Sequence, residues 1–221
     1  MAKLELLTVQ ETARADTCAA AIGVPSLELM ENAGAAVVTA IEAHYNPQPI
    51  TILCGPGNNG GDGFVIARLL AENGWPVRLG LLGNIAAAKT DARANVTRWQ
   101  GPIEAISPSI LAGTELVIDA LFGAGLSRPI EGVAAETISA INKPVVSVDI
   151  PSGIHGDSGV IMGVAPKAEM TVTFFRPKPA HYLIPGRAQC GKLVVADIGI
   201  PEKVITALAP QIKLNHPLSW Q

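Results

Sequence analysis

Three short apolar runs constrain this chain more than anything else in it: "ITILC" ending at Cys54, "LVIDA" ending at Ala120 and "VVSVD" ending at Asp149. Each is nearly continuous rather than alternating, which is how a strand covered on both faces of a parallel sheet reads. Helical patterns alternate with them. Strands are predicted at 49–54, 76–82, 115–120, 144–149, 169–175 and 192–200. Helices are predicted at 8–22, from Ser26 onward with its hydroxyl as the cap, at 62–73, 86–99 and 131–141, and briefly in "IPEKVITAL". The fold class is therefore α/β, a Rossmann-like doubly wound and mostly parallel central sheet with helices on both faces.

With 221 residues, 48% of them hydrophobic and 16% charged, the chain can bury a full core as one large domain. Its net charge of −3, with Lys and Arg scattered, supplies no basic stripe, so polymeric nucleic acid and anionic membranes are excluded as partners. No segment approaches the roughly 20 apolar residues of a membrane helix, and "MAKLELLTVQETARAD" has no secretory apolar core, so a cytoplasmic location is expected. Cys18, Cys54 and Cys190 are odd in number and lack C-x-x-C spacing, which points to reduced thiols and away from disulfides or zinc.

Open α/β sheets bind ligands at the carboxyl ends of their strands, and three such ends here are polar or glycine-rich: 55–63, 119–128 and 149–159. The first, "CGPGNNGGDG", contains a literal G-x-G-x-x-G in Gly55, Gly57 and Gly60. An ordinary dinucleotide loop would be followed about 20 residues later by an acid for the ribose, yet "WPVRLGLLGN" has none. A Walker loop is excluded because no Lys-Ser/Thr follows the glycines. More glycines are present than a turn requires, so the backbone either approaches something closely or takes positive φ. Backbone N–H groups at such a helix start form an anion-binding nest.

Asp62 at that helix start is either an N-cap or a group facing the ligand. Asn58 and Asn59 divide in the same way, one tolerating a left-handed turn and the other free to bind a ligand or cation. Should Asp119 and Asp149 converge on the same crevice, two carboxylates meet amide oxygens and the Ser152 hydroxyl, an oxygen-only set that suits a hard cation.

Four motifs in order, "LMENAG" at 29–34, "GPGNNGGDG" at 55–63, "VIDALFGAGLSRPI" at 117–130 and "VDIPSGIHGDSG" at 148–159, resemble the NAD(P)HX epimerase family, the YjeF N-terminal domain. The likeness covers nearly the whole chain. It implies an isomerase of metabolite repair that interconverts the R and S forms of NADHX and NADPHX, nicotinamide coenzymes hydrated at C6. Carried over by position, it implies that Asn58, Asn59, Gly60, Gly61 and Asp62 contact the substrate, with Gly123, Ala124, Gly125, Leu126, Ser127, Arg128 and Pro129 as a second loop and Asp149 as a further contact. It also implies one potassium ion held by Asn59, Asp119 and Ser152.

As a functional partner the resemblance implies an ADP- or ATP-dependent dehydratase, in some members fused at the C-terminus. Residues 1–212 then form a single epimerase domain, and 213–221, with "NHP" and Trp220, a tail that can lead into the second domain. A homo-oligomer is the expected assembly.

Arg128 or the amides of its loop are expected to neutralise phosphate. For inversion, ring nitrogen expels the C6 hydroxyl as water and water returns to either face, which needs an acid and a base. Asp149 is the first candidate for that proton traffic and Asp62 the second. His155 reads as a solvated group. His181, with Tyr182 and Lys178, reads as a lid or, better, as cover for a sheet edge. A Ser152–His155 hydrolase is rejected because there is no G-x-S-x-G elbow. The alternative from another class is a non-catalytic nucleotide-binding or scaffold module of the same fold, favoured only if the acidic positions were lost.

Overall fold

A computed structural model of the chain describes residues 4–84 and 90–217. Two helices, α1 (Val9–Ala21) and α2 (Ser26–Glu42), precede the sheet. Its strands are β1 (Ile50–Cys54), β2 (Val77–Leu81), β3 (Ile103–Ala105), β4 (Leu116–Ala120), β5 (Val145–Val148), β6 (Met170–Phe174) and β7 (Lys192–Ala196). The connections contain α3 (Asn58–Glu72), α4 (Thr90–Arg98), α5 (Gly132–Ser139) and α6 (Gly186–Gln189), and α7 (Lys203–Leu208) follows the sheet.

All strand pairs are parallel, in the order β3-β2-β1-β4-β5-β6-β7. Every residue of β1 and β4 is buried, as continuous apolar runs require. Alternation sorts them by face. Ile52, Cys54, Ile118 and Ala120 pack with Val37, Ile41, Phe64 and Leu70 of α2 and α3. Leu53 and Val117 pack with Ala134 and Ile138 of α5. A smaller core joins α1, α2 and α7 through Ala15, Ala19, Leu29, Val204 and Leu208.

The chain order reverses between β1 and β4, so a crevice opens where the loops after those two strands diverge. The first and third polar strand ends therefore flank the second.

Several predicted boundaries shift, each for a local reason. The helix expected at 62–73 starts at Asn58, because Gly57 rather than Asp62 is the N-cap. Ser26 is the first helical residue after Pro25 and makes no side-chain cap bond. The capping box lies instead at α1, where Thr8 and Glu11 satisfy each other's backbone N–H groups. β7 stops at Ala196, where Asp197 Oδ1 accepts the Gly199 N–H at 2.9 Å and turns the chain away. The short β3 escaped prediction because three half-exposed residues show no period. Part of the predicted 86–99 helix and the tail beyond 217, Trp220 included, lie outside the described residues. The Glu5–Lys213 bridge and the Leu214 N–H to Leu4 carbonyl bond, 2.7 Å, tie residues near 213 to the N-terminal segment.

Candidate active site

A cavity of about 560 Å³ lies at the crevice, a size usual for ligand sites. Asn58, Asn59, Asp62, Gly123 to Arg128 and Asp149 all line it, so the three strand ends do meet. A Cβ placed on Gly123 would come within 3.0 Å of Asp149 Oδ2 and 3.3 Å of Asn59 Oδ1. Gly60, Gly61 and Pro129 do not reach the lining; a Cβ on Gly60 would collide with the Gly55 carbonyl oxygen at 1.8 Å. Gly55 likewise leaves no room, with Leu121 O at 1.7 Å from its imagined Cβ. None of the glycines from 55 to 63 has positive φ; close approach explains Gly55, Gly60, Gly61 and Gly63, whereas a Cβ on Gly57 would meet nothing within 4 Å.

Neither asparagine has positive φ; both open α3, Asn58 exposed and Asn59 buried. The left-handed role expected for one of them is thereby corrected. With Gly57 supplying no side-chain cap, the first N–H groups of α3 are open to an anion. Arg128 stands exposed at the rim.

The two candidate aspartates differ in their surroundings. Asp62 is buried within α3, without a side-chain hydrogen-bond partner among the described residues. Burial raises its pKa well above the ordinary carboxylate value, and the charges of Asp149 and Asp16 push the same way. Burial opposes ionisation of Asp149 too, but the Lys178 ammonium bonded to its Oδ1 outweighs it. The Ala124 N–H donates to Oδ2 at 3.0 Å and the Thr173 hydroxyl to Oδ1 at 3.2 Å, and the net pKa lies below the usual value. The two carboxyls are thus pushed in opposite directions, Asp62 toward the neutral form and Asp149 toward the ionised one.

Lys178 and His181 correct an expectation. They are buried, not lying over a sheet edge or forming a lid, and Lys178 lines the cavity. Lys178 Nζ also donates to Thr173 Oγ1 at 2.9 Å. His181 Nδ1 accepts the Lys178 N–H at 2.9 Å and Nε2 lies 2.9 Å from the Asp149 carbonyl. An amide only donates and a carbonyl only accepts, so Nε2 carries the proton and the ring is neutral. Burial, then the nearby ammonium, lowers its pKa to about 4. The ring clamps Asp149 in a left-handed conformation, φ 67°, rare for a residue with a side chain. "RPKPAH" carries no motif signal for this; only an unexplained Lys between prolines hinted at it.

Asp119 and Ser152 come together behind the cavity wall. Ser152 donates to Asp119 through its hydroxyl (2.5 Å) and its N–H (2.7 Å), and the Ser147 hydroxyl donates at 3.0 Å. Ser152 Oγ also accepts the Phe122 N–H at 2.9 Å and lies 3.2 Å from its carbonyl. Asn59 meets this pair through the Phe122–Gly123 segment. Burial raises the Asp119 pKa against those donors, and no lysine or arginine among the described residues pairs with it. The Asn59 Nδ2 is buried without a partner. A buried carboxylate lacking a counter-charge, the Ser152 hydroxyl and the Phe122 carbonyl offer the oxygen donors a hard cation needs; Asn59 could join them only through its Oδ1, because the unsatisfied Nδ2 is a donor. With its hydroxyl committed to Asp119, Ser152 does not pair with His155, whose Nδ1 faces Ser158.

Among known proteins, residues 26–180 match the model of the family described as YjeF-related protein N-terminus. The NAD(P)H-hydrate epimerase of Limosilactobacillus fermentum is 44% identical over 182 residues, 80% of this chain and 88% of that one. The NAD(P)H-hydrate epimerase of Rhodobacter capsulatus is 43% identical, over 89% of this chain and 99% of its own. The bifunctional NAD(P)H-hydrate repair enzyme of Thermofilum pendens is 39% identical over 89% of this chain but only 40% of its own length. The chain thus spans nearly the whole of the stand-alone relatives and about two fifths of the bifunctional ones. The crystal structure of yeast ynu0 shares the fold, with a TM-score of 0.76 at 21% identity over 97% of this chain and 98% of that one. No helix among the described residues is long and apolar enough to cross a membrane.

Proposed function

The chain belongs to the YjeF-related N-terminal family of NAD(P)H-hydrate epimerases, and from that premise we propose how its cavity inverts C6 of hydrated NADH and NADPH. It is an isomerase of nicotinamide coenzyme repair. The substrate lies in the 560 Å³ cavity with its phosphates at the α3 N-terminus and Arg128, and its hydrated ring toward Asp62 and Asp149.

Neutral Asp62 donates its proton to the C6 hydroxyl. The C6–O bond breaks, the ring-nitrogen lone pair forms the iminium bond, and water departs. The Asp149 carboxylate stabilises the cation, then takes a proton as water adds to the opposite face. Solvent returns one proton to Asp62 and removes one from Asp149, and the reverse path serves the other epimer. Lys178 keeps Asp149 ionised, and the neutral His181 ring holds its backbone. The observation that carries this reading is two aspartates on one cavity, one buried without a cationic partner among the described residues and the other bonded to a buried lysine, which moves their pKa values in opposite directions.

We further propose that Asn59, Asp119 and Ser152 hold one potassium ion, which when bound supplies the missing counter-charge and stiffens the Phe122–Gly123 turn. The partner is an ADP- or ATP-dependent dehydratase, separate or fused beyond residue 213, with 1–212 as the epimerase domain. Self-association and a cytoplasmic setting belong to the same proposal.

The test supplies pure R epimer with an S-specific dehydratase. Complete conversion is expected with this chain present, and conversion no faster than the spontaneous background, with the protein folded, overturns the reading.

A further inference from the structure

One face of α1 reaches the cavity although no motif falls on it and it lies outside residues 26–180. Val9, Thr12, Ala13 and Asp16 are spaced i, i+3, i+4 and i+7, a single helical stripe, and all four line the wall. Two of the four are polar where an apolar stripe would pack better.

Thr12 is unlike the other helical threonines around it. Thr17, Thr39 and Thr137 each turn the hydroxyl to the carbonyl four residues back, at 2.9, 2.9 and 2.7 Å. Thr12 Oγ1 is buried and has no partner, one of two such side-chain atoms among the described residues; the other, Asn59 Nδ2, belongs to the same cavity. An unmade bond at a buried hydroxyl costs about 1–3 kcal/mol, which a ligand atom recovers after a small rotation. Asp16, one turn on, has no hydrogen-bond or ion-pair partner among the described residues. It stands exposed on α1 and lines the same cavity as Asp62, Asp149 and Lys178.

A carboxylate only accepts hydrogen bonds, whereas a hydroxyl can donate. Side by side they complement a group with an N–H₂ donor next to a carbonyl acceptor. The hydrated nicotinamide ring carries one such group, the carboxamide on C3, across the ring from C6. We infer that Thr12 and Asp16 form the carboxamide subsite, Asp16 accepting the amide N–H and Thr12 donating to the amide oxygen. The inference rests on the epimerase reading.

The test compares NADHX with the hydrate of the reduced 3-acetylpyridine analogue, which keeps the oxygen and lacks the N–H₂. Epimer interconversion is followed by proton NMR. Asp16→Ala is expected to raise KM for NADHX about tenfold, with kcat within about threefold, the loss of one charge-assisted bond. On the acetyl analogue the same variant should change KM less than about twofold, its partner being absent already. Thr12→Val should raise KM about fivefold on both substrates, with Thr12→Ser restoring it, and Thr17→Val should match wild type.

An equal Asp16→Ala penalty on both substrates, a fall in kcat at constant KM, or no effect overturns the inference. Should Asp16→Ala fail to fold, Asp16→Asn on the two substrates answers the same question. Wild-type protein inactive on both hydrates sinks the epimerase reading instead, whereas an active wild type with indifferent variants sinks the subsite alone.

Discussion

The opening turns of α3 and the segment running from β6 to His181 face each other through two aspartates, and they are built on opposite plans. Around Asp62 the chain is packed so tightly that Gly55, Gly60 and Gly63 admit no Cβ, and no cation among the described residues touches the carboxyl. Around Asp149 the chain places a buried lysine, a threonine, an amide and a histidine-clamped left-handed residue. The same side chain is pushed toward the acid form in one setting and toward the carboxylate in the other. Burial alone raises a carboxyl pKa; burial with a bonded ammonium lowers it.

Removing the charged member of the contrast has the largest expected effect. Asp149→Asn should lower kcat for epimerisation by about 10²-fold in a folded protein, checked by NMR of pure R epimer with thermal melts alongside. Unchanged turnover would erase the distinction between the two aspartates.

Lys178→Met converts the second setting into the first. Breaking a buried pair should cost about 3 kcal/mol in urea unfolding near pH 7. The acidic limb of the kcat profile should also move to higher pH. Since the wild-type Asp149 pKa is depressed, its stabilisation is present above the unfolded carboxylate value and lost as pH falls through the folded one. In the variant that loss should still begin at the unfolded value but be smaller and end at higher pH, because Lys178 no longer depresses the folded pKa.

His181 sharpens the comparison through stability. Its pKa falls from 6.5 to about 4 on folding, so the unfolded chain binds the proton first and stability drops as pH falls from about 6.5 toward 4. At pH 5 the loss should be about 2 kcal/mol. Asp16, held up at about 6, tilts the curve the opposite way, so the effect is read as wild type minus His181→Gln.

Asp62→Asn keeps the shape and the neutrality, and should cost about tenfold in kcat. It should also gain stability relative to wild type as pH rises above the unfolded carboxylate value, because the raised pKa makes ionisation in the folded state unfavourable. A variant that loses stability with rising pH would show that Asp62 is ionised.

The smallest effect concerns the cation. Replacing potassium by choline should lower turnover about threefold and reduce the melting temperature slightly, and Asp119→Asn should abolish both responses.

Much of the fold was legible because continuous apolar runs leave a strand few alternatives, and β1, β4 and β5 fell within a residue of their predicted limits. The short half-exposed β3 carried no period and was missed. At the site, the glycine loop announced itself through composition, but composition could not tell positive φ from close approach. Lys178 and His181 stayed hidden because a buried ion pair is defined by what surrounds it, and their partner is about thirty residues away.

The sequence by itself determined the layered α/β architecture and the three polar strand ends, since hydrophobic periodicity and turn chemistry act over a few neighbouring residues. Only the tertiary structure decided in which direction each aspartate's pKa moves. That choice depends on the dielectric and the charges within a few ångströms, and those come from β6, the Lys178 segment and α1, distant in the chain and adjacent in space.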